Sequence, residues 1–216
     1  MYTDFRDGTL APGCTIDDKI DVFEDWMNGW TLRHAHALAD AKYVFHKDAG
    51  FAVLALVTSY FEPIESYYSG ASSKNRSKMF FRRGFLRVFL NLPNTLRKNG
   101  FSDPDALAEE IADEMHDQLR CGLFHEGGTK HKLMIRDDTA PLGFMLEVNT
   151  GVIGSIVIDP VKFLAEVQNH LNTYVTQIRD SSQAVLRRNF ETFFDMRISP
   201  SRLTIMPPVA VTSNAS

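Results

Sequence analysis

Residues 51–70 read FAVLALVTSYFEPIESYYSG and contain the longest strongly apolar run of the chain. This run is too long and too apolar for an edge strand, so we interpret it as a buried helix. Pro63 should interrupt or kink that helix, because proline lacks the N–H that a helix interior requires, and Gly70 is a natural end point. The stretch therefore predicts the central helix of a hydrophobic core.

The apolar part of this stretch, residues 51–61, has about half of the roughly 20 residues that a membrane-spanning helix needs. Residues 1–13, MYTDFRDGTLAPG, lack the basic segment followed by an apolar segment that marks a signal peptide. We expect neither a membrane span nor a signal peptide.

Further helices are predicted on both sides of the central one. Thr15 and Asp18 have the spacing of a capping box, and apolar residues recur at helical intervals after them. Ser102 or Asp103 can cap a second helix, in which Pro104 occupies the first turn. One face of this second helix is apolar and the other is strongly acidic. Asp159 and Pro160 start another long helix, and a last one should cover 181 to about 196.

In residues 131–158 the helical spacing of apolar residues ends, and short apolar and β-branched runs alternate with turn residues. This pattern predicts a small antiparallel β meander. The fold expected is mainly α, an up-and-down helical bundle with the meander inserted before the last long helices. We expect a single domain over 1–216, with the bundle at about 15–125 and 159–196. The Pro- and Ser-rich residues 199–216 are expected to be a flexible tail.

The cysteine content indicates a reducing compartment, and the net charge does not indicate a general affinity for nucleic acid. Cys14 and Cys121 are the only cysteines, far apart and without CxxC spacing, which argues against a disulfide scaffold and for the cytoplasm. The net charge is −4, so the molecule as a whole does not look like a nucleic-acid binder.

The charge is nevertheless unevenly distributed. Residues 66–102 contain eight Lys or Arg and no Asp or Glu, which leaves about −12 on the rest of the chain. This region is a possible footprint for nucleic acid, with phenylalanines interleaved. The alternative is an ordinary amphipathic helix whose phenylalanines face the core and whose basic residues are solvated. The candidate binding residues are Lys74, Arg76, Lys78, Arg82, Arg83 and Arg87.

Residues 119–131, LRCGLFHEGGTKH, hold the most informative motif, Arg120 and His125 in an Arg-x4-His arrangement. Gly122 and the pair Gly127-Gly128 are natural helix stops, so we expect the helix to end here. In a straight α-helix, positions 120 and 125 differ by about 140° of rotation. The two groups therefore meet only if the chain bends at Gly122 or if two copies of the chain each contribute both.

An acidic amphipathic helix that ends in Arg-x4-His and GLFHEG, preceded by an apolar helix with SYFEPIE, resembles the HEPN superfamily (higher eukaryotes and prokaryotes nucleotide-binding). The resemblance covers about 16–180. It implies a small helical bundle, a homodimer, and metal-independent RNA cleavage without a cofactor at a composite site of Arg120 and His125 from both subunits. It also implies an antitoxin or nucleotidyltransferase as a possible partner in a toxin-antitoxin or defence system. By charge alone, the basic residues at 74–87 are the best candidates for holding RNA.

Several neighbours of the motif are supporting candidates: Glu62, His116, Cys121 and Glu126. Glu62, with Glu65, is expected to orient Arg120, because a buried guanidinium demands a fixed carboxylate. Active family members commonly carry Asn, Asp or His where this chain has Cys121. A zinc set of His116, Cys121, His125 and His131 lacks the usual ligand spacing, so we expect no metal.

Two non-catalytic interpretations stay open. Arg120 can be a structural residue paired with Asp113, Asp117 or Glu62, while His125 caps the helix end. The whole protein can also be a non-catalytic HEPN-like binding or scaffold protein that holds a protein or nucleotide partner, since a fold alone does not determine function.

Overall fold

The computed structural model describes residues 14–45, 49–126, 132–147 and 152–198, and it is mainly helical with a small sheet, as the sequence predicts. The α-helices of these residues are α1 Ile16–Met27, α2 Arg33–Phe45, α3 Ala49–Thr58, α4 Phe61–Ser69, α5 Ser77–Val88, α6 Leu92–Lys98, α7 Pro104–Met115, α8 Pro160–Arg179 and α9 Ala184–Ile198. Two segments are π-helical, Asn28–Leu32 and His116–Glu126. The strands are β1 Leu133–Ile135, β2 Leu142–Leu146 and β3 Ile153–Ile158. The expected tail at 199–216 lies outside the described residues.

Local side-chain chemistry starts three of the helices where the sequence predicts. Thr15 and Asp18 form the reciprocal capping box of α1. Asp103 accepts a hydrogen bond from the backbone N–H of Ala106 at the start of α7. Asp159 accepts two backbone hydrogen bonds, from Val161 and Lys162, at the start of α8. These caps satisfy N–H groups that have no partner within the helix.

The central stretch forms two helices, as the predicted interruption requires. The chain turns at 59–60 between α3 and α4, and Pro63 lies in the first turn of α4, where a missing N–H costs little. Gly70 ends α4 in the left-handed conformation with φ of 67°. The helix therefore breaks just before the proline.

Helix α5 packs directly on α4 through a glycine. A Cβ on Gly84 would lie 1.9 Å from the carbonyl oxygen of Phe61, so only glycine permits this approach of the two backbones. Phe80, Phe81 and Phe85 are buried on the same helix, in agreement with the amphipathic interpretation of this basic segment. The crossing of α4 and α5 thus carries part of the central core.

The predicted antiparallel meander is wrong, because the sheet is mixed with the strand order β1-β3-β2. Strand β3 lies in the centre, antiparallel to β2 and parallel to β1. Leu142 and Ile135 both align with Ile158, so the connection 136–141 crosses the end of β3 instead of forming a hairpin. The central position suits β3, since Ile153, Ile156 and Ile158 are fully buried.

Gly122, one of the predicted helix stops, does not end the helix. The helix that begins as α7 continues as a π-helix from His116 to Glu126, and Gly122 is buried within it. Glycine in a helix interior costs about 1 kcal/mol relative to alanine. Burial of apolar surface in this segment stabilises the helix by more than that. Gly127 and Gly128 lie outside the described residues.

Candidate functional site

Arg120 lies at a pocket of about 560 Å³. Its side chain is one-third exposed, and it extends from the π-helix toward residues of α3, α4, the α4–α5 turn and α9. Polar and charged neighbours in the lining are Thr58, Ser59, Glu62, Ser66, Ser72, Ser73 and Arg197. The pocket therefore combines two guanidinium groups with hydroxyl groups, a set that can hydrogen-bond an anion.

Glu62 is the carboxylate that the structure brings to Arg120. Its Oε2 lies 4.0 Å from Nη2 of Arg120 and accepts a hydrogen bond of 2.6 Å from Oγ of Ser77. Glu65, the second carboxylate expected there, instead accepts a hydrogen bond from Arg87. Only one of the two predicted glutamates thus lies at the motif arginine.

The π-helix changes the relationship between positions 120 and 125. Its hydrogen bonds join residues five apart, so residue i+5 takes the place that residue i+4 has in an α-helix. Backbone position 125 therefore lies one turn beyond Arg120 on the same face, and no bend at Gly122 is needed. The side chains of His125 and Glu126 lie outside the described part of the structure, as does His131.

His116, Asp117 and Cys121 form a compact cluster on the same π-helix. Nδ1 of His116 lies 2.9 Å from Oδ1 of Asp117 and 3.8 Å from Sγ of Cys121. Burial works to raise the pKa of Asp117, but hydrogen bonds with His116 and Lys78 hold it below its usual value. Two of the supporting candidates, His116 and Cys121, thus contact each other on the helix that carries Arg120.

The basic residues between positions 74 and 87 divide into two groups. Three of them are ion-paired within the fold: Lys78 with Asp113 and Asp117, Arg82 with Glu109 and Asp113, and Arg87 with Glu65. Lys74, Arg76 and Arg83 are exposed and pair with no carboxylate among the described residues. Arg76 also donates to the carbonyl oxygen of Ser72 at the pocket. RNA binding by these residues stays a prediction.

Arg197 is a pocket residue that the sequence analysis did not select. Its guanidinium carbon lies 3.7 Å from the ring centroid of Trp26. Burial raises the pKa of the Tyr67 phenol, and the positive charge of Arg197 opposes that rise. No local signal marks Arg197, because α9 reaches the pocket only through tertiary packing.

A half-buried polar cluster next to α4 was also missed. Arg87 lies 4.0 Å from the Tyr68 ring centroid, and His170 is hydrogen-bonded to Tyr60 at 2.8 Å. Burial, with a contribution from the charge of Arg87, lowers the pKa of His170 to about 4. His170 therefore stays neutral at neutral pH and serves as a hydrogen-bonding group of the core.

Comparison of the chain with protein-family models, with curated proteins and with solved structures found no match. Within the described ranges, no helix is both long and apolar enough to cross a membrane.

Proposed function

We propose that this protein is a HEPN-like, metal-independent endoribonuclease of the cytoplasm, with a composite site of Arg120 and His125 at a homodimer interface. The observation that carries the proposal is the π-helical register, which gives positions 120 and 125 a common face beside a pocket that holds Arg120. The resemblance of the Arg-x4-His motif supplies the reaction class. An antitoxin or nucleotidyltransferase partner belongs to the same proposal.

The chemistry needs a proton acceptor and a cation. His125 takes the proton from a ribose 2′-hydroxyl, whose oxygen then attacks the adjacent phosphorus atom. The bond from phosphorus to the 5′-oxygen breaks, and the second histidine of the composite site returns a proton to that oxygen. Arg120 stabilises the negative charge that accumulates on the phosphate oxygens. The products carry a 2′,3′-cyclic phosphate and a 5′-hydroxyl.

The test is cleavage of a mixed RNA pool by the purified full chain in excess EDTA. We expect wild-type protein to cleave, and Arg120→Ala and His125→Ala each to reduce the rate by a factor of about 100 or more. Matched controls are Arg33→Ala and His34→Ala, since both residues are exposed on α2. The proposal fails if folded wild-type protein does not cleave, or if the motif variants cleave as the controls do.

A non-catalytic binding protein is the second candidate, and the Arg120–Glu62 ion pair favours it. A carboxylate 4.0 Å from the guanidinium already compensates part of the charge that a phosphate would need. This candidate predicts that RNA or nucleotide binding persists in Arg120→Ala and His125→Ala and depends on the exposed cations Lys74, Arg76 and Arg83. Binding without cleavage in wild-type protein would support it.

A further inference from the structure

The cluster of His116, Asp117 and Cys121 brings three different metal-ligating groups together. Nδ1, a carboxylate oxygen and Sγ all lie within 4.8 Å of one another. The imidazole is nearly buried, with 11% of the side chain exposed, whereas the carboxylate is 45% exposed. One side of the cluster is therefore enclosed by protein and the other is accessible to solvent.

The π-helix creates this cluster. His116 and Cys121 are five residues apart, so in an α-helix they would point about 140° away from each other. In the π-helix they lie one above the other, which explains the 3.8 Å between Nδ1 and Sγ. A tetrahedral zinc ion, with bonds of about 2.3 Å to sulfur and 2.0 Å to nitrogen, keeps those atoms about 3.5 Å apart. The observed separation needs little adjustment.

We propose that Nδ1 of His116, Oδ1 of Asp117 and Sγ of Cys121 form a binding site for one zinc ion, with the fourth position open to water. Imidazole, thiolate and carboxylate together suit zinc, which accepts nitrogen, sulfur and oxygen ligands. The thiol proton of Cys121 leaves on binding. This ligand set differs from the one of His116, Cys121, His125 and His131 that the ligand spacing argues against, because Asp117 supplies the third ligand.

The surroundings of the cluster suit a bound ion. Nζ of Lys78 lies 3.1 Å from Oδ2 of Asp117 and fixes the carboxylate from that side. Oδ1 now contacts Nδ1 of His116 at 2.9 Å, and a bound ion would take the place of that contact. The ring of Phe81 packs edge-on against His116 with centroids 5.2 Å apart, which limits rotation of the imidazole. Both ligands are thus oriented by residues of α5.

The zinc site shares the supporting candidates His116 and Cys121 with the proposed ribonuclease site, but its binding of zinc does not require the ribonuclease activity. Neither Arg120 nor His125 is among its three ligands, so RNA cleavage in EDTA and zinc binding are separate questions. Zinc would link the ends of one π-helical turn and stabilise the folded chain, because it binds the folded state preferentially.

Cobalt(II) is the probe, since it takes zinc positions and reports on its ligands by absorption. The purified full chain, stripped with chelator and then freed of it, should bind one Co²⁺ with a thiolate-to-metal charge-transfer band. Zn²⁺ should displace that band. Cys121→Ser should abolish it, the matched control Cys14→Ser should retain it, and Asp117→Asn should weaken Co²⁺ binding by about tenfold or more. Absence of the band in wild type, or its persistence in Cys121→Ser, overturns the proposal.

A second measurement avoids substitutions in a packed region. Saturating Zn²⁺ should slow alkylation of Cys121 in wild-type protein at least tenfold, as peptide mass spectrometry reports, and should raise the melting temperature. Cys14, also a free and half-buried cysteine, is the internal reference. Equal alkylation of Cys121 with and without Zn²⁺ also overturns the site.

Discussion

Nη2 of Arg120 lies 4.0 Å from Oε2 of Glu62, and Ser77 donates a hydrogen bond to that same oxygen. Ser77 fixes the carboxylate, which lies within ion-pair distance of the guanidinium but not within hydrogen-bond distance. Residues from α4, α5 and the π-helix therefore meet at one oxygen atom, which connects the packing of the bundle to the candidate site.

Glu62→Gln should lower kcat for RNA cleavage about tenfold without raising KM. The substitution weakens the positioning of Arg120, and small misplacements are costly in catalysis. It also removes a negative charge that repels RNA phosphates, so binding should not suffer. The control is Glu110→Gln, at an exposed position of α7. An unchanged kcat would show that Glu62 has no positioning role.

RNA binding should depend on the exposed cations and less on the paired ones. Arg83→Gln should weaken binding and reduce the slope of log affinity against log salt by about 0.7, the value for one phosphate contact on a single strand. Arg82→Gln should change the slope less, because Glu109 and Asp113 already pair with Arg82. The measurement is a titration of labelled RNA at several KCl concentrations. An unchanged slope in Arg83→Gln would argue against a role of Arg83 in RNA binding, and equal reductions in both variants would contradict the distinction between exposed and paired cations.

Gly84→Ala should destabilise the fold by about 3 kcal/mol or more. The added methyl group would lie 1.9 Å from a backbone oxygen of Phe61, so the two helices must separate. Gly143→Ala is the control, since its Cβ would approach no atom closer than 3.8 Å. Its effect should stay below about 1 kcal/mol. Urea unfolding measures both, and similar losses in the two variants would contradict the close crossing.

The ion pair between Arg87 and Glu65 should matter because Glu65 is 2% exposed. Arg87→Met leaves a buried carboxylate without its partner and should cost about 3–5 kcal/mol. The double variant Glu65→Leu/Arg87→Met should recover most of that loss, since it removes both charges. Arg179→Met, which breaks exposed pairs with Asp21 and Glu24, should cost less than about 1 kcal/mol. Failure of the double variant to recover would contradict this explanation.

The features that the sequence predicted correctly are those that local chemistry determines. Thr15, Asp103 and Asp159 cap helices through neighbours at most three residues away. Pro63 and Gly70 constrain their own backbone dihedral angles and so mark a helix start and a helix end. Such signals need no knowledge of the rest of the fold.

The features that were missed depend on distant parts of the chain. Turn residues show where a strand ends but not which strand lies beside it, so the parallel pairing of β1 with β3 could not be inferred. Burial carries the helix past Gly122 in π-helical register. Glu62 was predicted as a neighbour of Arg120 because a guanidinium demands a fixed carboxylate, whereas Arg197 joins the pocket from a helix with no motif.

The pKa of His170 predicts how stability varies with pH. The usual value of 6.5 falls to about 4 in the folded protein, so between these values the unfolded chain binds more protons. The stabilising contribution of neutral His170 is complete above pH 6.5 and is lost as the pH falls toward 4. A difference of about 2.5 pKa units corresponds to about 3 kcal/mol over this window.

Urea unfolding from pH 4 to 7.5 should show this decline of stability in wild-type protein. His170→Gln should flatten it, whereas the control His34→Gln, at an exposed position, should not. A decline of the same size in His170→Gln would assign it to other groups.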